Sequence, residues 1–201
     1  MKKIRKLVMA SLVAMPLSTG LLKAEDKSWM TLTTSYKLQE DVSMLRFQRG
    51  TANTYGFLDI FGDSHADFES LYGEFRVKKK IGKGLMLGAE YNGGTGVQDV
   101  VRPQISYSKT LGPLFLDVKF SPLGLSVENK ERQLGFYGSA NFNRFGIEGW
   151  IDITKSGQKT SRMGEVELSA KLTDKISAIV RAEKYPWESK PVYSLGIKSS
   201  F

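Results

Sequence analysis

An all-β fold, a membrane-spanning antiparallel up-and-down barrel of twelve strands, is what this sequence predicts, and three observations predict it. From residue 28 onward the chain repeats one unit: eight to eleven residues of apolar and polar alternation, closed by a break rich in Gly, Asn, Asp or Pro. Beyond the N-terminal segment, no stretch approaches the roughly 18 apolar residues that a spanning helix needs. The last alternating segment ends the chain on an aromatic residue, Phe201.

The first 24 residues are set apart. Lys2, Lys3, Arg5 and Lys6 form a basic start, residues 7–22 an apolar run, and Ala24 a small residue at a cleavage site. This is the layout of a secretory signal peptide, so the expected division is a cleaved segment over residues 1–24 and a barrel over 25–201. The chain has 29 Lys and Arg, five of them (Lys23 is the fifth) in that segment; removing it leaves 24 bases against 21 acids, a formal +3 in place of +8. The basic balance thus belongs largely to the export signal, and no nucleic-acid polymer is expected as a partner. With no Cys there is no disulfide framework, thiolate metal site, cysteine nucleophile or lipid-acylated cysteine.

Strands are predicted over residues 28–38, 43–50, 54–62, 68–78, 84–92, 100–109, 113–121, 132–142, 145–154, 163–172, 175–184 and 192–201. Residues 43–62 also fit one bent strand, and ten strands is the alternative count, since bacterial single-chain barrels favour even numbers. Each segment is one-sided. In the last, Tyr193, Leu195, Ile197 and Phe201 oppose Ser194, Gly196, Lys198 and Ser200. Val166, Leu168, Ala170 and Leu172 oppose Glu165, Glu167, Ser169 and Lys171; Leu71, Gly73, Phe75 and Val77 oppose Ser70, Tyr72, Glu74 and Arg76; Leu114, Leu116, Val118 and Phe120 oppose Phe115, Asp117 and Lys119.

Alternation alone also suits a soluble sandwich. The breaks favour the membrane, because they alternate in length as barrel loops do. Short inner turns fall at residues 51–53, 79–83, 110–112, 143–144 and 173–174. Longer outer loops fall at 93–99, 122–131, 155–162 and 185–191. In hydrocarbon every backbone polar group must be paired, so a chain without a long apolar helix spans only as a closed sheet. Tyr36, Tyr91, Tyr107, Phe120, Phe142, Phe145 and Tyr193, near strand ends, suit interfacial girdles. The C-terminal strand ending at Phe201 looks like the signal that barrels of the Gram-negative outer membrane present to their assembly machinery. That machinery and outer-membrane lipid are the expected partners.

On this parity the lumen holds Asp59, Glu74, Glu90, Asp117, Glu148, Asp152, Glu165, Glu167 and Glu183, with Lys37, Arg46, Arg76, Arg102, Lys119, Lys171, Arg181 and Lys198. Charges so enclosed need partners and form cross-strand pairs, and their mixed sign suits a neutral or zwitterionic small polar solute. Tyr55, Phe57, Tyr72, Tyr137 and Trp150 also point inward, either filling space or stacking on a solute ring, with Asp59 or Glu148 accepting hydroxyl hydrogen bonds. The candidate solute-binding set is therefore Tyr55, Phe57, Asp59, Tyr72, Arg76, Tyr137, Glu148 and Trp150. A Leu168→Arg or Leu195→Arg change is expected to impair assembly, and Glu167→Ala or Ser194→Ala to be tolerated.

Enzymatic chemistry is not expected. The sole histidine, His65, lies beside Asp63, Ser64 and Asp67, but near neighbours on one loop do not supply the opposed geometry of a triad. No metal-ligand spacing occurs, Gly93-Gly94-Thr95-Gly96 lacks the lysine of a phosphate loop, and no cofactor is implied. A non-conducting structural or adhesive barrel, acting through outer loops in which Trp187 is the best contact residue, is the alternative to a channel.

The segment Thr54-Tyr55-Gly56-Phe57-Leu58-Asp59-Ile60-Phe61-Gly62, with Asp67-Phe68-Glu69 and Tyr72-Gly73-Glu74-Phe75-Arg76, resembles the nucleoside-specific channel-forming (Tsx-like) outer-membrane proteins, and Glu90-Tyr91-Asn92-Gly93-Gly94 with the closing strand to Phe201 looks like a related group of small barrels. The resemblance spans most of the chain after the export segment, which is shorter than the family's channels and lacks their long outer loops. It implies a narrow twelve-stranded barrel passing nucleosides or similar small polar solutes.

Overall fold

The computed structural model describes residues 29–38, 42–51, 53–63, 68–125, 131–186 and 189–201. The signal segment, residues 64–67 with His65, and Trp187 lie outside the described residues. Twelve strands are present: β1(Trp29–Lys37), β2(Val42–Gly50), β3(Thr54–Asp63), β4(Phe68–Lys80), β5(Leu85–Gly94), β6(Val97–Leu111), β7(Leu114–Gly124), β8(Glu131–Phe142), β9(Phe145–Ser156), β10(Lys159–Lys171), β11(Ile176–Lys184) and β12(Val192–Ser200). Each pairs antiparallel with the next, and β1 pairs with β12 from Thr31↔Ser200 to Lys37↔Ser194, so the sheet closes. The count of twelve is settled at the β2–β3 turn. There the Thr51 amide donates to the Thr54 carbonyl (2.8 Å), and the Thr51 hydroxyl accepts from the Asn53 and Thr54 amides, both at 3.1 Å. A threonine that caps its own turn breaks the run into two strands.

The barrel is apolar outside and polar inside. Leu168 is 53% exposed while its neighbour Glu167 is 2% exposed, and Leu195, Ile147 and Phe136 also face outward with Arg181, Gln104 and Glu90 enclosed. Water would penalise such an exterior, so the molecule is a transmembrane barrel whose solvent is lipid. Every inward and outward assignment made above for β4, β7, β10 and β12 holds. Tyr36, Tyr107, Phe120, Phe142, Phe145 and Tyr193 lie on the outer surface as girdle residues should. Tyr91 is half-buried and donates its hydroxyl to Asp99 at 3.1 Å.

Two outer loops are corrected. Residues 93–99 and 155–162 were expected as loops, yet β5 and β6 are joined by Thr95 and Gly96 alone, and β9 and β10 by Gly157 and Gln158. Gly96 (φ 72°) and Gly157 (φ 59°) take the left-handed conformation that two-residue hairpin turns need. The strands run on past their apolar stretches because ladder hydrogen bonds hold equally well in water, where Gly, Lys and Ser look like loop residues. Of residues 122–131, only 126–130 fall outside the described structure. Residues 122–124 belong to β7, Leu125 forms an isolated bridge with Val101, and Glu131 opens β8.

Candidate functional site

Inward side chains fall into two charged lobes. The first joins β1–β3 to β9–β12. The Arg46 guanidinium donates twice to Asp59 (2.7 and 2.9 Å) and also reaches Glu165 (2.9 Å), which stands 119 residues away across the intervening strands. Arg181 lies among Glu165 (3.2 Å), Glu167 (2.6 Å) and Glu183 (3.5 Å). Lys198 bridges Glu148 (2.5 Å) and Glu167 (2.8 Å), and Lys37 pairs with Glu183 (3.4 Å).

The second lobe spans β4–β9 and centres on Glu90, which collects Arg76 (2.7 Å), Lys119 (2.9 Å) and Arg102 (3.7 Å). Arg76 also binds Glu74, Lys119 also binds Asp152 (3.1 Å), Lys78 binds Asp117 (2.8 Å), and Arg102 binds Glu131 and the Asn92 carbonyl. Among the described residues no ion pair joins the lobes. Each contains four bases and five acids, so each is close to electrically balanced.

Aromatic seams separate them. On one wall, rings step from Trp29 on β1 to Tyr55 (6.1 Å between centroids) and Phe57 (6.1 Å) on β3 and Tyr72 (5.8 Å) on β4. Arg46 lies 5.1 Å from the Phe57 ring and Arg76 5.9 Å from Tyr55, so each lobe is anchored on the seam by a cation over a ring face. The second seam, on β7–β9, carries Phe115 and Tyr137 (6.0 Å apart) with Trp150. Around the ring the seams are five strands apart one way and seven the other, so they nearly face each other.

Two glycines make this packing possible. Gly50 stands in register between Trp29 and Tyr55, and the indole lies flat over it; any side chain there would meet the ring. Gly135 stands between Lys119 and Asp152, which pair across the gap it leaves. The enclosed space, about 1340 Å³, is lined at one end by Thr51, Asn53 and Ser177 and at the other by Thr95, Gln98 and Pro186.

All eight candidate residues line this space. Tyr55, Phe57, Asp59, Tyr72 and Arg76 come together on one wall, and Tyr137, Glu148 and Trp150 on the other. Asp59 is 1% exposed beneath Arg46, which donates to both of its oxygens, so its carboxylate is enclosed and does not face the open lumen where a solute hydroxyl would sit. Glu148 is the reachable carboxylate: its side chain is 34% exposed, and although Lys198 holds one oxygen and the Tyr137 hydroxyl donates to the other at 3.3 Å, each oxygen keeps a lone pair. Lys78 and Glu131 were not foreseen. Lys78 has the inward parity of Arg76 and was legible from it, whereas Glu131 had been assigned to a loop.

No family model matches this chain. No curated protein matches it either. Among solved structures, the barrel is similar to a KdgM porin with a TM-score of 0.56 at 12% identity, over 86% of this chain and 99% of that one. It is similar to a NanC porin with a TM-score of 0.59 at 9% identity, over 86% and 98%. A KdgM porin in complex with disordered oligogalacturonate matches with a TM-score of 0.55 at 13% identity, over 86% and 99%. At these identities the likeness is one of fold.

Proposed function

We propose that this barrel is an outer-membrane channel of a Gram-negative bacterium for passive uptake of small polar solutes, with nucleosides as the class its lumen suits best. The observation that carries the reading is the pair of facing aromatic seams set between two balanced charged lobes. A solute with flat apolar faces meets rings, while its polar edge meets carboxylates, guanidiniums and the part-exposed carboxylate of Glu148. Balanced charge presents no single-sign field to an ion. One similar porin is in complex with oligogalacturonate, a polyanion; this lumen, with bases and acids nearly matched, has no net positive field to draw such a ligand. Delivery to the membrane rests on the N-terminal export segment and on recognition of the C-terminal strand by the barrel-assembly machinery.

Single-channel recording across a nucleoside titration tests this. Replacing Tyr55, Phe57 or Trp150 by Ala should weaken nucleoside block about ten-fold or more, since stacking is worth roughly 1–3 kcal/mol per base, while ion current rises or holds. A current indifferent to every nucleoside would remove that assignment and leave the general channel.

A second reading is a non-conducting structural barrel, favoured by the Arg46 to Glu165 tie across the lumen. It requires that wild type and variants carry no current.

A further inference from the structure

Strands β8, β9 and β10 build the lipid-facing wall on one plan. Counted along the outward positions from the end that carries the termini, each presents five small or apolar residues and then a cation. The runs are Phe142 to Leu134 and then Arg132 on β8, Phe145 to Ile153 and then Lys155 on β9, and Leu172 to Gly164 and then Arg162 on β10. Ten residues at about 3.3 Å each, tilted by about 40°, climb roughly 25 Å, the height of the apolar band of such barrels. The three cations therefore stand at the upper edge of the hydrocarbon.

They also stand together. Arg132 and Lys155 are direct register partners, and Arg162 pairs with Ile153, two residues from Lys155 on the same face. All three are exposed. Like charges directly opposite on neighbouring strands repel, and none of the three has a partner among the described residues. The lumen differs, for its enclosed guanidiniums Arg46, Arg76, Arg102 and Arg181 all meet carboxylates. At the opposite end, Lys83, Arg144 and Lys175 stand in three different turns.

Below the cluster, on the same strands, Gly138 faces Gly149 in register. Their missing side chains leave a shallow apolar depression of about 230 Å³ bordered by Leu114, Ile147 and Val166. It lies roughly 15 Å below Lys155 by the same rise and tilt. A cationic cluster at headgroup height above a furrow at acyl-chain depth has the outline of a phospholipid-like amphiphile.

We propose that Arg132, Lys155 and Arg162 bind the phosphate of a lipid headgroup, with an acyl chain of that lipid lying along the furrow at Gly138 and Gly149. The anion cancels the repulsion that the sheet register imposes on the cations. The proposal rests on the transmembrane fold and is independent of which solute, if any, passes.

The test uses the full-length mature barrel, refolded in phosphatidylcholine vesicles doped with diphosphoryl lipid A. Lipid retained through detergent extraction is read by native mass spectrometry. R132Q/K155Q/R162Q should retain at least about ten-fold less lipid A than wild type, and K83Q/R144Q/K175Q, with the same loss of charge, should retain the wild-type amount. Wild type alone supplies an arm that needs no variant to fold: lipid A stripped of its phosphates should not be retained. Equal losses in both triple variants would reduce the effect to net charge and overturn the proposal. So would equal retention of the dephosphorylated lipid, or binding of inorganic phosphate as tight as that of the lipid.

Discussion

Glu167→Ala tests how dry the lumen is. An inward position alone predicted tolerance; the contacts reverse that. Glu167 is 2% exposed and receives Arg181 at 2.6 and 3.1 Å and Lys198 at 2.8 Å. Breaking a buried pair by removing one partner costs about 3–5 kcal/mol, because the other charge stays enclosed. Both cations keep a carboxylate here, Arg181 at Glu165 and Glu183 and Lys198 at Glu148, so the loss should fall at the low end, about 3 kcal/mol. The assay is reversible guanidinium unfolding of the vesicle-inserted barrel, followed by tryptophan fluorescence. A loss under about 1 kcal/mol, the value of a solvated pair, would mean that water screens this lobe and would refute the treatment of the lumen as low-dielectric.

Next door, Leu168→Arg should cost about 2–4 kcal/mol through the opposite face, by placing a charge in lipid; equal stability in vesicles would contradict the register. Ser194→Ala should be neutral, because the buried Ser194 hydroxyl has no hydrogen-bond partner among the described residues, and the same unfolding curve reads it. Deleting Phe201 should lower the amount of barrel in cell membranes more than it lowers refolded stability, and unchanged cellular levels would exclude the terminal residue as an assembly signal. Gly135→Ala should part Lys119 from Asp152 by crowding both side chains while leaving Lys119 on Glu90; a crystal structure of the variant with the pair intact would count against the glycine's role.

Periodicity of two made all twelve strands legible, because a residue in a sheet between lipid and lumen has no third environment. Leu168 and Glu167 illustrate how little context that inference needs. Strand ends were less legible: at Gly157 and Gln158 the chain is already beyond the apolar stretch, where alternation stops being enforced although pairing continues. Pairings inside the lumen were hidden for another reason. Arg46 meets Asp59 on the adjacent strand, which register rules anticipate, but its tie to Glu165 is a chord of the ring, set by barrel diameter and side-chain length. Gly50 and Gly135 escaped notice because their effect lies in what their neighbours are able to do across them.

The pairing of β1 with β12 has a consequence for how the molecule forms. Every other strand pair joins sequence neighbours, so eleven of the twelve seams assemble as local hairpins, and only this one brings together residues as distant as Thr31 and Ser200. Bringing together ends that far apart costs only about 4 kcal/mol in chain entropy, a term that grows with the logarithm of length. An unclosed sheet in hydrocarbon, by contrast, leaves two edges of unpaired backbone, each group costing several kcal/mol. Closure is therefore a commitment step. Loss of either terminal strand should abolish insertion outright, whereas moving the termini to the Gly157 hairpin and linking Trp29 to Phe201 through a short tether should preserve the ring, because a closed cycle has no preferred starting strand.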